Sequence, residues 1–224
     1  MLMPQTHQSF QKRITKTVSF RYLLYRPPDY ETGGPWPLVL FLHGMGQRGD
    51  DLDLIKKHGI PQIVDERAYP FVAVSPQCPV ESQWTMELDA LYALIRDVMR
   101  TYAIDRSRIY LTGLSMGGFG AWHLAEAHPH LFAAMIPICG GARPGIGFPD
   151  RIKVLKDLPI WVFHGAQDDV VPLTNSQELV DVLVQHGGNV QFTVYPDAGH
   201  DSWTRTYGNP EVLTWLLAQK RPRG

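Results

Sequence analysis

A serine with glycine two residues to either side, in Gly113-Leu114-Ser115-Met116-Gly117, is the part of this chain best equipped for chemistry. An apolar run, Arg108-Ile109-Tyr110-Leu111-Thr112, precedes it and has the character of a buried strand. Gly118-Phe119-Gly120-Ala121-Trp122-His123-Leu124-Ala125 follows and predicts a helix. Strand, G-x-S-x-G, helix is the setting of a nucleophile elbow, a turn sharp enough to present the serine hydroxyl above the sheet. The flanking glycines are required because a Cβ there would strike neighbouring backbone. A serine hydroxyl is a weak nucleophile at neutral pH, so it needs a base to take its proton and a third group to orient that base.

The chain offers these partners in the order serine, acid, histidine. Asp168 and Asp169 lie just past a strand ending at His164-Gly165, and His200 lies just past one ending at Tyr195. All three positions fall at strand carboxyl ends, on one rim of a sheet, where open α/β proteins bind ligands. Of the nine histidines, His7 sits in a polar arm, and His58, His123, His128 and His186 fall on or beside helices. His130 follows in a helix-to-strand turn, and His43 and His164 precede glycines at strand ends, where loop packing accounts for them. A tetrahedral oxyanion needs two backbone N–H donors. Met116, directly after the serine, supplies one, and the Gly-rich loop 43–49 is expected to supply the other. Trp84 and Trp203, each close to a rim loop, are expected to form aromatic walls for substrate.

Three stretches resemble the phospholipase/carboxylesterase-like branch of the α/β-hydrolases, which includes acyl-protein thioesterases, dienelactone-hydrolase-like proteins and members labelled as peptidases. His164-Gly165-Ala166-Gln167-Asp168-Asp169-Val170-Val171-Pro172 is similar to that family's HG-x-x-D-x-x-V-P segment. Ala198-Gly199-His200-Asp201-Ser202-Trp203 resembles its histidine loop, and Leu42-His43-Gly44-Met45-Gly46-Gln47-Arg48-Gly49 its oxyanion loop. The resemblance runs from about Pro37 to Leu217. It implies Asp168 as the orienting acid, His200 as the base and Met45 N–H as the second oxyanion donor. It also implies a serine carboxylesterase acting on short- to medium-chain esters. The alternatives it leaves open are an acyl-thioesterase, a feruloyl or acetyl polysaccharide esterase, a peptidase of prolyl-oligopeptidase type, and a catalytically silent scaffold of the same fold.

The elements that must position these residues alternate. Strands are expected over 18–26, 37–43, 71–74, 108–112, 133–138, 159–164 and 190–195. Helices are expected over 50–67, broken near Pro61, and over 88–102, where Leu88, Leu91, Ile95, Val98 and Tyr102 step by three and four. A further helix opens at Thr174 with Gln177 at capping-box spacing and stops at Gly187-Gly188, and a closing helix covers 210–220. Such alternation predicts a mostly parallel, doubly wound α/β sheet, and the resemblance implies the α/β-hydrolase fold. At 224 residues this is one domain over 1–224, with 1–16 a polar arm. Only about 20 residues join the strand ending at Ile138 to that beginning at Pro159, too few for a large lid.

Lys and Arg total 21 against 22 Asp and Glu, which gives no basic excess to attract nucleic acid or anionic lipid. The polar amino terminus has no signal-peptide core, and no apolar run approaches a membrane span, so a cytoplasmic enzyme is expected. Cys78 and Cys139 are too few for a disulfide framework, and no HExxH motif or CxxC pair is present. Neither metal nor cofactor is expected; the expected partner is a small ester substrate.

Overall fold

The structure, a computed structural model, describes residues 6–142 and 148–221. Within them seven strands form one sheet, in the order β1-β3-β2-β4-β5-β6-β7. These are β1 (Tyr22–Tyr25), β2 (Trp36–Leu42), β3 (Val72–Pro76), β4 (Ile104–Leu114), β5 (Ala134–Ile138), β6 (Ile160–Gly165) and β7 (Val190–Tyr195). Only β1 runs antiparallel, beside β3; every other pairing is parallel. Parallel strands need crossovers, and these are α1 (Gly59–Glu66), α2 (Leu88–Thr101), α3 (Met116–Ala127) and α4 (Thr174–Gln185). Two helices, α5 (Trp203–Gly208) and α6 (Pro210–Ala218), close the chain. Among the described residues no helix is long and apolar enough to cross a membrane.

Every residue of β2 is buried, as a central strand covered on both faces requires. Its pleat divides the core. Leu38, Leu40 and Leu42 join Leu91, Ile95, Trp122 and Leu179 on the side of α2, α3 and α4. Val39 and Phe41 join Ile60, Tyr207, Val212 and Leu216 on the side of α1, α5 and α6. The strand order turns around between β2 and β4, since β3 lies on one flank of β2 and β4 on the other. A crevice therefore opens beyond the carboxyl ends of β2 and β4, where ligands bind in such sheets.

Several boundaries differ from those expected. The helical pattern over 50–67 divides into a 3₁₀ segment, Leu52–Lys57, and α1. The break falls at Gly59, whose φ is +70°, and not at Pro61, which is tolerated in the first turn. The capping box at Thr174 is not formed. Leu173 already has helical dihedrals and makes no side-chain cap, so Thr174 lies inside the first turn. Gly187 and Gly188 do end α4: the Gly188 N–H donates to Leu183 O at 2.7 Å and the Gly187 N–H to Val184 O at 3.0 Å. The connection from β5 to β6 contains a 3₁₀ turn, Asp150–Leu155, whose Ile152 and Leu155 pack into the core. Residues 143–147 of that connection, on which the expected absence of a lid partly rests, lie outside the described residues.

Candidate active site

Ser115 sits between β4 and α3 with φ 52° and ψ −119°, a conformation that L residues rarely adopt. Its backbone is pinned on both sides: its N–H donates to Ile138 O at 3.0 Å, and its carbonyl accepts the Phe119 N–H at 3.1 Å. The flanking glycines are dictated by space. A Cβ on Gly117 would fall 1.9 Å from Leu42 O, and one on Gly113 would fall 2.4 Å from Gly117 O.

Asp168 and His200 arrive from the next two loops. The β6 and β7 loops are stitched together by Ala166 N–H to Tyr195 O and Gln167 N–H to Ala198 O, both 2.9 Å. His200 Nδ1 lies 2.8 Å from Asp168 Oδ2, and His200 Nε2 lies 2.9 Å from Ser115 Oγ. Asp168 Oδ1 accepts the N–H groups of Val170 at 3.0 Å and Val171 at 2.8 Å. Burial alone would raise the Asp168 pKa, but these hydrogen bonds, led by His200, hold it below the usual carboxylate range. The carboxylate is therefore an anion, and the His200 nitrogen facing it is the protonated one, which leaves Nε2 free to accept from Ser115. Neighbouring Asp169 is exposed and lies outside this chain of contacts.

Met45 opens a 3₁₀ turn and Met116 opens α3, so neither N–H has an acceptor within its own helix. His43 orients the first of these. The Cys78 N–H donates to His43 Nε2 at 3.0 Å, so the ring proton is on Nδ1 and is given to Gly44 O at 2.6 Å. Gly44 C=O and Met45 N–H belong to one trans peptide and point in opposite directions. Holding the carbonyl toward His43 thus turns the Met45 N–H the other way. Burial pushes the His43 pKa down to about 4, so the ring stays neutral and this tautomer persists. The sequence signal for His43 is the His-Gly pair at a strand end, which loop packing alone would also produce.

A cavity of about 250 Å³ adjoins Ser115, lined by Met45, Gln83, Trp84, Thr85, Met116, Phe119, Val170 and Val171. Met45 and Val170 are exposed apolar side chains at its rim. A larger depression of about 900 Å³ lies near the amino end of β4, lined by Arg96, Arg106 and His128, and does not include Ser115.

Of the two tryptophans expected as walls, Trp84 borders the cavity and Trp203 does not. Trp84 borders the cavity but has no accessible surface; it lies edge-on to the His43 ring and donates its indole N–H to His43 O at 2.9 Å. It supports the loop that carries Met45 from behind. Trp203 is not among the cavity residues: its ring stands at 88° to the His200 imidazole, 5.3 Å between centroids. α5, which carries Trp203, is anchored by buried Tyr207, whose hydroxyl is 2.8 Å from Thr112 Oγ1.

Among the described residues Cys139, Asp168 and His200 bring one potential metal-ligand atom each within 4.8 Å of one another. Burial pushes the Cys139 thiol up to about 12, so it offers no thiolate, and the other two are hydrogen-bonded to each other.

The family described as Phospholipase/Carboxylesterase matches residues 68–209. Probable feruloyl esterase C of Aspergillus niger is 26% identical over 207 residues, covering 87% of this chain and 73% of that protein. Acyl-protein thioesterase 1 of Neurospora crassa is 23% identical over 196 residues, covering 73% of this chain and 80% of that protein. A thermostable esterase of known structure superposes with a TM-score of 0.78 at 38% identity; the match covers 89% of this chain but only 59% of that one. With an α/β-hydrolase sheet and a family match that spans more than half of its length, this chain belongs to the phospholipase/carboxylesterase family.

Proposed function

We propose that the protein is a serine carboxylesterase that hydrolyses short- to medium-chain esters through an acyl-enzyme on Ser115. The observation that carries this reading is the continuous hydrogen-bonded chain from Asp168 through His200 to Ser115, ending beside an apolar cavity. Ser115 Oγ attacks the ester carbonyl carbon while His200 Nε2 takes the hydroxyl proton. Asp168 stays ionised and stabilises the imidazolium. The carbonyl oxygen becomes an oxyanion held by the N–H groups of Met45 and Met116, with the N-terminal end of α3 behind it. As the tetrahedral intermediate collapses, the alcohol oxygen leaves with the proton from His200. Water then attacks the acyl-enzyme, His200 accepts its proton, and the carboxylic acid departs as Ser115 recovers its hydrogen.

The cavity lies just under the ~300–1,000 Å³ typical of small-molecule sites, which suits a short acyl or aryl group. Methylenes beyond its rim gain little of the ~0.8 kcal/mol that full burial gives. The test is a panel of p-nitrophenyl esters from acetyl to palmitoyl, with a feruloyl ester and an acyl thioester alongside. We expect kcat/KM to peak at or below about eight carbons, and Ser115→Ala to lower it by at least about 10³. A maximum at palmitoyl would overturn the chain-length reading, and a fully active Ser115→Ala the nucleophile. The feruloyl substrate belongs in the panel because a relative is named for that activity.

A further inference from the structure

Asp168 lies between two histidines. Its Oδ2 is 2.8 Å from His200 Nδ1 and also 3.2 Å from Nε2 of His164, near the end of β6. The side chains of His164 and Asp168 have no accessible surface. His164 Nε2 is also 2.9 Å from Val171 O. Both of these oxygens can only accept, so a bare Nε2 would direct its lone pair at two negative atoms, and Nε2 must carry a proton. The other ring nitrogen, Nδ1, is 2.8 Å from Ser176 Oγ on α4. Burial lowers the His164 pKa, so the ring is neutral and carries its one proton on Nε2; the single hydroxyl proton of Ser176 lies between two acceptors, Nδ1 and Gly140 O, the latter 2.9 Å from Ser176 Oγ. Asp168 thus has three hydrogen-bond donors, two peptides on Oδ1 and His200 on Oδ2, and the His164 Nε2–H, bonded to Val171 O, faces Oδ2 as a longer fourth contact.

We propose that His164 is a positioning residue for Ser115, His200 and Asp168: its Nε2–H shares Asp168 Oδ2 with His200, and so sets both the orientation of the carboxylate and the charge it presents to the base. The proposal rests on the esterase reading above. Removing this donor leaves more negative charge facing His200. That stabilises the imidazolium and moves the acid side of the activity profile upward. The ionisable groups acting on His164 are Asp168 and His200; α4 contributes only the uncharged Ser176. Cys139, within 4.8 Å of the Asp168–His200 pair, is a neutral thiol.

The test is kcat/KM on a short p-nitrophenyl ester from pH 5 to 9, for the wild type, His164→Phe and His164→Gln. We expect His164→Phe to move the acid limb up by about half a pH unit and to lower kcat about tenfold. His164→Gln, whose amide can place an N–H near the lost one, should restore the limb. A loss in His164→Phe that is equal at every pH would make the residue a packing element and overturn the proposal. Nitrogen-15 spectra of the wild-type imidazoles supply a readout that needs no variant. A protonated His164 Nε2 supports the proposal, and a bare Nε2 overturns it. These spectra are independent of the esterase reading, whose own failure would show as undiminished turnover by Ser115→Ala.

Discussion

Adjacent aspartates show how position decides between identical side chains. Asp168 receives His200 and two peptide N–H groups in a buried loop, whereas Asp169 faces solvent. In the proposed mechanism only the first can hold the imidazole in the required tautomer. Asp168→Asn should lower kcat by on the order of 10⁴, because an amide can turn its NH₂ toward His200 and favour the wrong tautomer. Asp169→Asn should stay within about threefold of the wild type. Steady-state kinetics on a short ester checks both; a dead Asp169 variant beside an active Asp168 one would place the acid one residue along.

The elbow is held at the scale of the element. β4 and α3 meet so closely that the Gly117 backbone lies against the end of β2. Gly117→Ala would put a methyl 1.9 Å from Leu42 O, a contact that neither backbone can relieve without moving Ser115. We expect a loss of at least about 3 kcal/mol in urea unfolding, together with loss of esterase activity. A loss below about 1 kcal/mol would mean that the elbow is softer than its dihedrals imply. This crowding is also why the elbow was legible in the sequence: the geometry tolerates few residue types, so the motif is short and strict. β7 was equally legible over 190–195, bounded by Gly187-Gly188 and Pro196. α5 was not, because six residues, Trp203–Gly208, are too few to display a helical period. β4 begins earlier than its apolar run, at Ile104, because Asp105, Ser107 and Arg108 satisfy one another at a partly exposed strand start. The roles of His43 and His164 were hidden for a different reason. What a buried histidine does depends on which atoms surround each nitrogen, and those neighbours come from Cys78, Val171 and Ser176, at distances no local pattern encodes.

For the whole molecule, the buried histidines tie stability to pH. Burial holds His43 at about 4, against an ordinary value near 6.5, and lowers His128 and His164 as well. Between those two values the unfolded chain takes up protons that the folded one refuses. Stability is therefore full above about pH 6.5 and falls as the pH drops toward 4. The His43 contribution alone is up to about 3 kcal/mol. Urea unfolding at pH 7.5, 6.0 and 4.5 should show this decline, with a shallower slope in His43→Gln. Stability that stays flat across the range would show that His43 accepts a proton without disturbing the fold.

Covalent labelling with a fluorophosphonate, followed by peptide mass analysis, tests the central claim most directly. The account predicts one adduct per chain, on the peptide carrying Ser115. It should be absent in Ser115→Ala and form at least about 10²-fold more slowly in His200→Ala, where no base takes the hydroxyl proton. An adduct on another residue, or an undiminished rate in His200→Ala, would contradict it.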